Sequence, residues 1–214
     1  MSSTPRLLTV NVVYVIRRGP TRDTAIDKRP VTVPVNVGEL GLDGDRQCDT
    51  RNHGGPDKAL YAYASEDATW WTGELGRDIP PGLFGENLTT QGLDVTGALI
   101  GERWRIGDRV RGALVEVRMP RMPCENFSAR MGEPGFHKRF LATRRVGAYL
   151  SVLEPGTIEA GDRIEIAYQP DHDLSVGGYF DRPDADRMRR VLDTGIDLAG
   201  IVRRRAQRIV ARAA

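Results

Sequence analysis

Residues 102–119 read "ERWRIGDRVRGALVEVRM". Two runs, "ERWRIGDRV" and "ALVEVRM", carry β-branched and aromatic residues between charged ones, which suits a half-buried strand. Gly107, Asp108 and Gly112 lie between them and mark a turn. Working outward, similar short runs recur: "LLTVNVVYVI" (7–16), "VTVPVNV" (31–37), "ALYAYA" (59–64), "GAYLSVLE" (147–154) and "DRIEIAY" (162–168). Their bounding turns pair Gly with charge, as in "LGLDGD", "IGDRV" and "EAGDR". The pattern predicts a mainly β, closed or partly closed antiparallel barrel over residues 1–168, with flanking helices.

One helix is expected over "SEDATWWTGELG" (65–76), capped by Ser65 and stopped by Gly76. A second, irregular one is expected from about Ser128 to Leu141, interrupted by Gly132, Pro134 and Gly135. Past "AYQPDHD" (167–173) the apolar period changes from two to 3.6. "RPDADRMRRVLDTG" places Ala185, Met188 and Leu192 on one face, and "DLAGIVRRRAQRIVARAA" aligns Leu198, Ile201, Val202, Ala206, Ile209 and Val210. "LSVGGYF" is a third helical candidate, weakened by Gly177 and Gly178. Residues 171–214 are therefore expected to form a small three-helix segment, making the chain α+β overall.

At 214 residues, 40% apolar and 28% charged, the chain has material for a sizeable core. Its net charge of +2 is too weak to argue for nucleic acid. Nine Arg in the segment from 171 onward are offset by seven Asp, which reads as a solvated helix face. No apolar run reaches the roughly 18 residues of a membrane span. The first apolar run lacks a basic flank and a cleavage site, so a cytoplasmic, reducing compartment is expected, where a Cys48–Cys124 disulfide is disfavoured. Of 31 basic residues only Lys28, Lys58 and Lys138 are lysines. A pyridoxal-phosphate enzyme would need one of these three, and none lies in a suggestive setting.

"RMPRMPCEN" (118–126) holds Cys124 behind Pro120 and Pro123, which restrict the backbone and preset the direction of the thiol. Arg118 and Arg121, if close, favour the thiolate. The cysteine is open to readings as buried filler, nucleophile or metal ligand; His53 or His137 are the bases a nucleophile would use. Three other polar stretches separate strands: "IDKRPV" with Lys28 and Arg29, "GLDGDRQCDTRNHGGPDK" with Arg46, His53, Gly54 and Gly55, and "GLFGENLTTQGLDV" with Asn87. Each taken alone is also readable as an ordinary turn. A thiolate selects soft or high-valent metals. With no other ligand set at metal-site spacing, the remaining ligands would belong to a cofactor. A Lys/Arg lip, a bare Gly-Gly backbone and a bifunctional amide suit a phosphorylated heterocycle.

In order, "IDKRPV … GLDGDRQ … HGGPDKALYAY … FGENLTTQGLDV … IGERWRIGD … PRMPC … GD" resembles the stand-alone bacterial MOSC-domain proteins of the YiiM type. MOSC is named for the C-terminus of molybdenum-cofactor sulfurase. The resemblance spans roughly residues 7–168, and the helical tail is similar to the three-helix segment of such proteins. It implies a β-barrel-like fold and a molybdenum cofactor of the pterin type, with Cys124 as the protein ligand to the metal. It also implies cofactor-binding roles for Lys28, Arg29, Arg46, His53, Gly54, Gly55, Asn87 and Arg121, and catalytic roles for Cys124 and His53. Cys48 falls where a small residue is usual; it is expected to be filler, with a second thiol near the site as the alternative. The implied activity is reduction of N-hydroxylated bases, amidoximes and hydroxylamines, with His53, Asp45 or Asp57 as candidate proton sources. The chain has no flavin, nicotinamide, haem or iron–sulfur fingerprint, so electrons are expected from a separate reductase. The rival expectation is a carrier of cofactor or sulfur.

Overall fold

The computed structural model describes residues 4–20, 22–48 and 54–213. The strands are β1 (Arg6–Arg18), β2 (Asp23–Val31), β3 (Val35–Gly38), β4 (Gly41–Leu42), β5 (Leu60–Ala64), β6 (Leu88–Gln91), β7 (Arg103–Ile106), β8 (Ala113–Pro120), β9 (Ala148–Glu154), β10 (Gly156–Ile158) and β11 (Ile164–Tyr168). The helices are α1 (Ser65–Leu75), α2 (Glu125–Met131), α3 (Phe136–Ala142), α4 (Ala185–Asp193) and α5 (Gly200–Arg212).

Eight strands form one sheet in the order β11-β7-β8-β9-β5-β6-β1-β2, and β10-β3-β4 form a second. The large sheet is mixed, because β5 and β6 run parallel. This corrects the expected antiparallel barrel. Among the described residues the end strands β2 and β11 do not pair; the bridge Arg6↔Arg163 and hydrogen bonds from Leu7 N–H to Asp162 O (2.8 Å), Gly161 N–H to Leu7 O (2.8 Å) and Ile164 N–H to Pro5 O (2.9 Å) tie β1 to the start of β11 and the turn before it. α+β is the observed class. The expected strand 31–37 is split, since Pro34 lacks the N–H a continuing ladder would use.

The expected helix 128–141 is two short helices, α2 and α3. Gly132 (φ 70°) and Gly135 (φ 77°) sit in the left-handed region between them, a conformation that ends a helix cheaply only without a Cβ. α1, α2 and α3 pack Trp71, Phe127, Phe136 and Phe140 against Tyr63 and Phe84. Fully burying an aromatic side chain is worth about 1.5–3 kcal/mol, so this cluster is a main anchor of the helices on the sheet.

Beyond β11, "LSVGGYF" is not a third α-helix. Val176 and Gly177 donate backbone hydrogen bonds to Ala98 and Thr96 (2.9 and 2.8 Å), and a 3-10 turn follows over Gly178–Phe180. α4 starts at Asp184, whose carboxylate accepts from the Asp186 and Arg187 N–H groups, and α4 and α5 add Met188, Val191, Val202 and Ala206 to the same core as the sheet. Several tail arginines meet acids: Arg187 and Arg190 share Asp173 (3.2 and 3.0 Å), and Arg203 reaches Asp197 (3.1 Å). Among the described residues no helix is long and apolar enough to cross a membrane.

Candidate functional site

A cleft opens where β2, the loop after β4, the start of β5 and the β8–α2 junction converge. Cys124 lies on it. Pro120 is paired opposite Ala148 of β9, and the Arg121 N–H donates to Gly147 O at 3.2 Å, so the chain leaves β8 in a fixed direction. Cys124 is then extended (φ −131°, ψ 179°), and its carbonyl accepts from the Phe127 and Ser128 N–H groups at the start of α2. Its thiol is free and half-buried.

Arg121 is 5% exposed. Its guanidinium lies over the rings of Phe127 (4.2 Å), Tyr61 (4.9 Å) and Phe140 (5.9 Å). Aromatic faces attract a cation but do not use its N–H groups, and among the described residues Arg121 Nη1 has no hydrogen-bond partner. Asn126 Oδ1, buried on the same cleft, is also without one. A donor and an acceptor are thus left unmet where burial makes each costly. Such a pair is complementary to a polar ligand.

Facing them is a satisfied cluster. The Asp45 carboxylate accepts from Lys28 Nζ, from Asn87 Nδ2 (2.8 Å) and from the Val13 N–H (2.9 Å). Burial lowers the Lys28 pKa below the usual lysine value, against the pull of Asp45. Asn87 is bifunctional as expected, yet its partners are the protein's own. Its Oδ1 accepts from the Tyr61 N–H (3.1 Å), and its Nδ2 also donates to Asn11 O (3.3 Å), stitching β5 to β1. Gly85, beside it, has φ 81°, and a Cβ there would fall 2.8 Å from Ile26 Cγ1.

Of the residues singled out from sequence, Lys28, Arg46, Asn87, Arg121 and Cys124 line this one cleft. His53 lies outside the described residues. Arg29 points elsewhere, stacking on Tyr14 at 3.5 Å, and Gly54 and Gly55 do not line the cleft. Lys58, the last residue of the Pro56–Lys58 3-10 turn, does. Arg118 is not a neighbour of the thiol: it binds Glu116, Asp57 (2.8 Å) and Asp197 (3.4 Å), which also takes Asp57 away from a proton-donor role. His137 pairs with Ser128 Oγ (2.8 Å), off the cleft. Cys48 is not filler; it is exposed and lines the cleft with Cys124, with its thiol pKa raised by burial and by Asp23. Sequence reasoning missed Lys58, Tyr61, Asn126 and Tyr149. Asn126 was within reach, lying two residues past the cysteine. Among the described residues no cluster of three or more His, Cys, Asp or Glu is placed to hold a metal.

The MOSC domain model matches residues 49–165, more than half of the chain. The chain belongs to the MOSC-domain family. It is 32% identical over 179 residues to the uncharacterized protein YflK of Bacillus subtilis, covering 81% of this chain and 79% of that one. It is also 32% identical over 154 residues to a protein named reductase from Gibberella moniliformis, covering 69% of this chain but 26% of that one. The crystal structure of YiiM from Geobacillus stearothermophilus superposes with a TM-score of 0.76 at 29% identity, covering 96% of this chain and 99% of that one. The full-length match to YiiM includes the helical tail as well as the sheet.

Proposed function

We propose that this MOSC protein binds a pterin-type molybdenum cofactor in the Cys124 cleft and reduces N-hydroxylated compounds with electrons from a separate reductase. One observation carries the reading: a free thiol shares its cleft with a buried Arg121 Nη1 donor and a buried Asn126 Oδ1 acceptor that have no partner among the described residues. The fit to such a group is good. Cys124 would supply the thiolate, Arg121 and Arg46 the positive charge for an anionic edge, and Asn126 an acceptor for a ring N–H. When bound, the group supplies a two-electron, oxygen-accepting centre.

The overall conversion is R–NHOH plus two electrons and two protons to R–NH₂ plus water. Lys28 holds a proton on the wall of the cleft, and its lowered pKa makes it a better donor than a surface lysine. Asp45 accepts from that ammonium and is itself held by the Asn87 amide. With two cysteines in the chain, Cys48 and Cys124, no Cys₄ cluster is available to bring in electrons. The fungal relative's name supports redox chemistry, although this chain spans about a quarter of that protein.

The test is turnover of N6-hydroxyadenine by cofactor-loaded protein with reduced methyl viologen as donor, reading the amine product. The expected result is adenine formation that is abolished in Cys124→Ala. Loaded protein that is inert toward N-hydroxylated substrates but passes its pterin to an apo-enzyme would establish the carrier role instead.

A further inference from the structure

A second cleft adjoins the first between the β1–β2 hairpin and α2. The two share Thr24, Ile26 and Asn126 along their common wall. Three arginines line the second cleft, Arg17, Arg18 and Arg130, against one lining carboxylate, Asp27. Asp27 is 2% exposed and is already taken: Arg130 Nη2 donates to it at 2.9 Å and Arg17 Nε at 3.3 Å, with Arg29 Nε at 3.9 Å. Arg18 reaches Asp23 at 3.3 Å, and that carboxylate is open to water. The buried acid therefore orients two guanidiniums without neutralising them. Arg130 Nε is buried and without a partner among the described residues.

We propose that this arginine cleft is an anion subsite for the substrate, so that the protein acts on phosphate-bearing N-hydroxylated nucleosides in preference to their unphosphorylated forms. The inference rests on the reductase reading above and names its substrate class. The order of groups along the joined clefts fits such a molecule. The Cys124 end receives the reacting base, and the sugar crosses the shared wall at Thr24 and Ile26. Arg17 and Arg130, held splayed by Asp27, present N–H groups in the forked geometry that guanidinium uses for phosphate. The junction is kept open by a glycine: a Cβ on Gly19 would fall 2.4 Å from Asn126 Oδ1. Arg17 and Arg18 keep their charged ends at the surface, while Arg130 is half-buried and pairs with the buried Asp27.

The experiment compares N6-hydroxyadenosine 5′-monophosphate with N6-hydroxyadenosine on the cofactor-loaded protein. Charge-assisted hydrogen bonds from two arginines give an expected kcat/KM ratio of roughly 30 in favour of the monophosphate, carried mainly by KM and reduced by added salt. In Arg17→Gln/Arg130→Gln the ratio falls to near one. Arg18→Gln, which leaves the partners of Asp27 intact, lowers the ratio roughly threefold and serves if the double variant does not fold. Equal kcat/KM for both compounds in the unmodified protein overturns the proposal, as does a ratio that survives the double variant. If neither compound is turned over, the reductase reading fails, and calorimetric binding of adenosine 5′-monophosphate against adenosine decides the subsite. Tighter binding of the monophosphate that is lost in the double variant supports it; equal binding overturns it.

Discussion

Arg118 and Arg121 lie three residues apart at the end of β8, and both are buried, at 6% and 5% exposure. Their surroundings differ completely. Arg118 faces the C-terminal segment and spends its guanidinium on Glu116, Asp57 and Asp197, closing a join between β8, the turn before β5 and the loop between α4 and α5. Arg121 faces the cleft, rests on three aromatic rings and leaves Nη1 without a partner among the described residues. One arginine holds the fold together, while the other is held ready by it. A buried cation is stabilising only when its N–H groups are met, so the unmet one identifies the side of the sheet where a ligand belongs.

The strongest way to break this comparison is Arg118→Ala. It removes one of the two guanidiniums on the buried Glu116, with Arg103 remaining at 2.9 Å, and the ties to Asp57 and Asp197, a loss of about 1.5–3 kcal/mol for charge-assisted hydrogen bonds. Urea unfolding is expected to show that loss; a midpoint within error of the parent would contradict the structural role. Arg121→Met is expected to do the opposite. The ligand-free protein keeps its stability to within about 1.5 kcal/mol, because an apolar chain of similar volume replaces an unpaired cation. Cofactor content after expression, however, falls about tenfold or more, the effect of losing one charge-assisted hydrogen bond. Equal loading of parent and variant would remove Arg121 from the site.

A smaller, pH-dependent effect sharpens the picture on the Arg118 side. His172 is buried at the root of the helical segment, with Nδ1 accepting from the Leu174 N–H (3.1 Å) and Nε2 donating to Ile100 O (2.9 Å) in the tautomer that satisfies both. Burial lowers its pKa below 6.5. The folded state therefore binds a proton less readily than the unfolded chain. Its contribution is fully present above pH 6.5 and is lost as pH falls through the folded-state value. Denaturation midpoints at pH 7.5 and 5 are expected to fall more for the parent than for His172→Gln. An identical fall in both would assign the acid sensitivity elsewhere.

Much of the sheet was legible because its strands alternate apolar and charged residues. The parts that were not legible are those where burial is satisfied by polar pairing. "LTTQ" of β6 reads as a loop, yet Thr89 and Thr90 are buried and Thr89 meets Asn11 and Glu86. "DTAIDKR" of the edge strand β2 looks too charged to be buried, yet Asp27 and Lys28 are each paired with a residue distant in sequence. The site follows the same division. Cys124, Arg121, Lys28, Arg46 and Asn87 converge as their motifs led one to expect. Lys58, Tyr61 and Tyr149 reach the cleft through strand neighbours that no local pattern encodes. Arg29 was misplaced because adjacent residues on a strand face opposite sides, so only one of Lys28 and Arg29 can enter the cleft.

The most direct test is the molybdenum and pterin content of protein expressed in a cofactor-competent host, with Cys124→Ser measured beside the parent. Near-stoichiometric metal and pterin in the parent, with metal lost from the variant, is the predicted result. Absence of both from the parent after reconstitution with free cofactor, or equal metal in parent and variant, would contradict the assignment of Cys124 as the ligand.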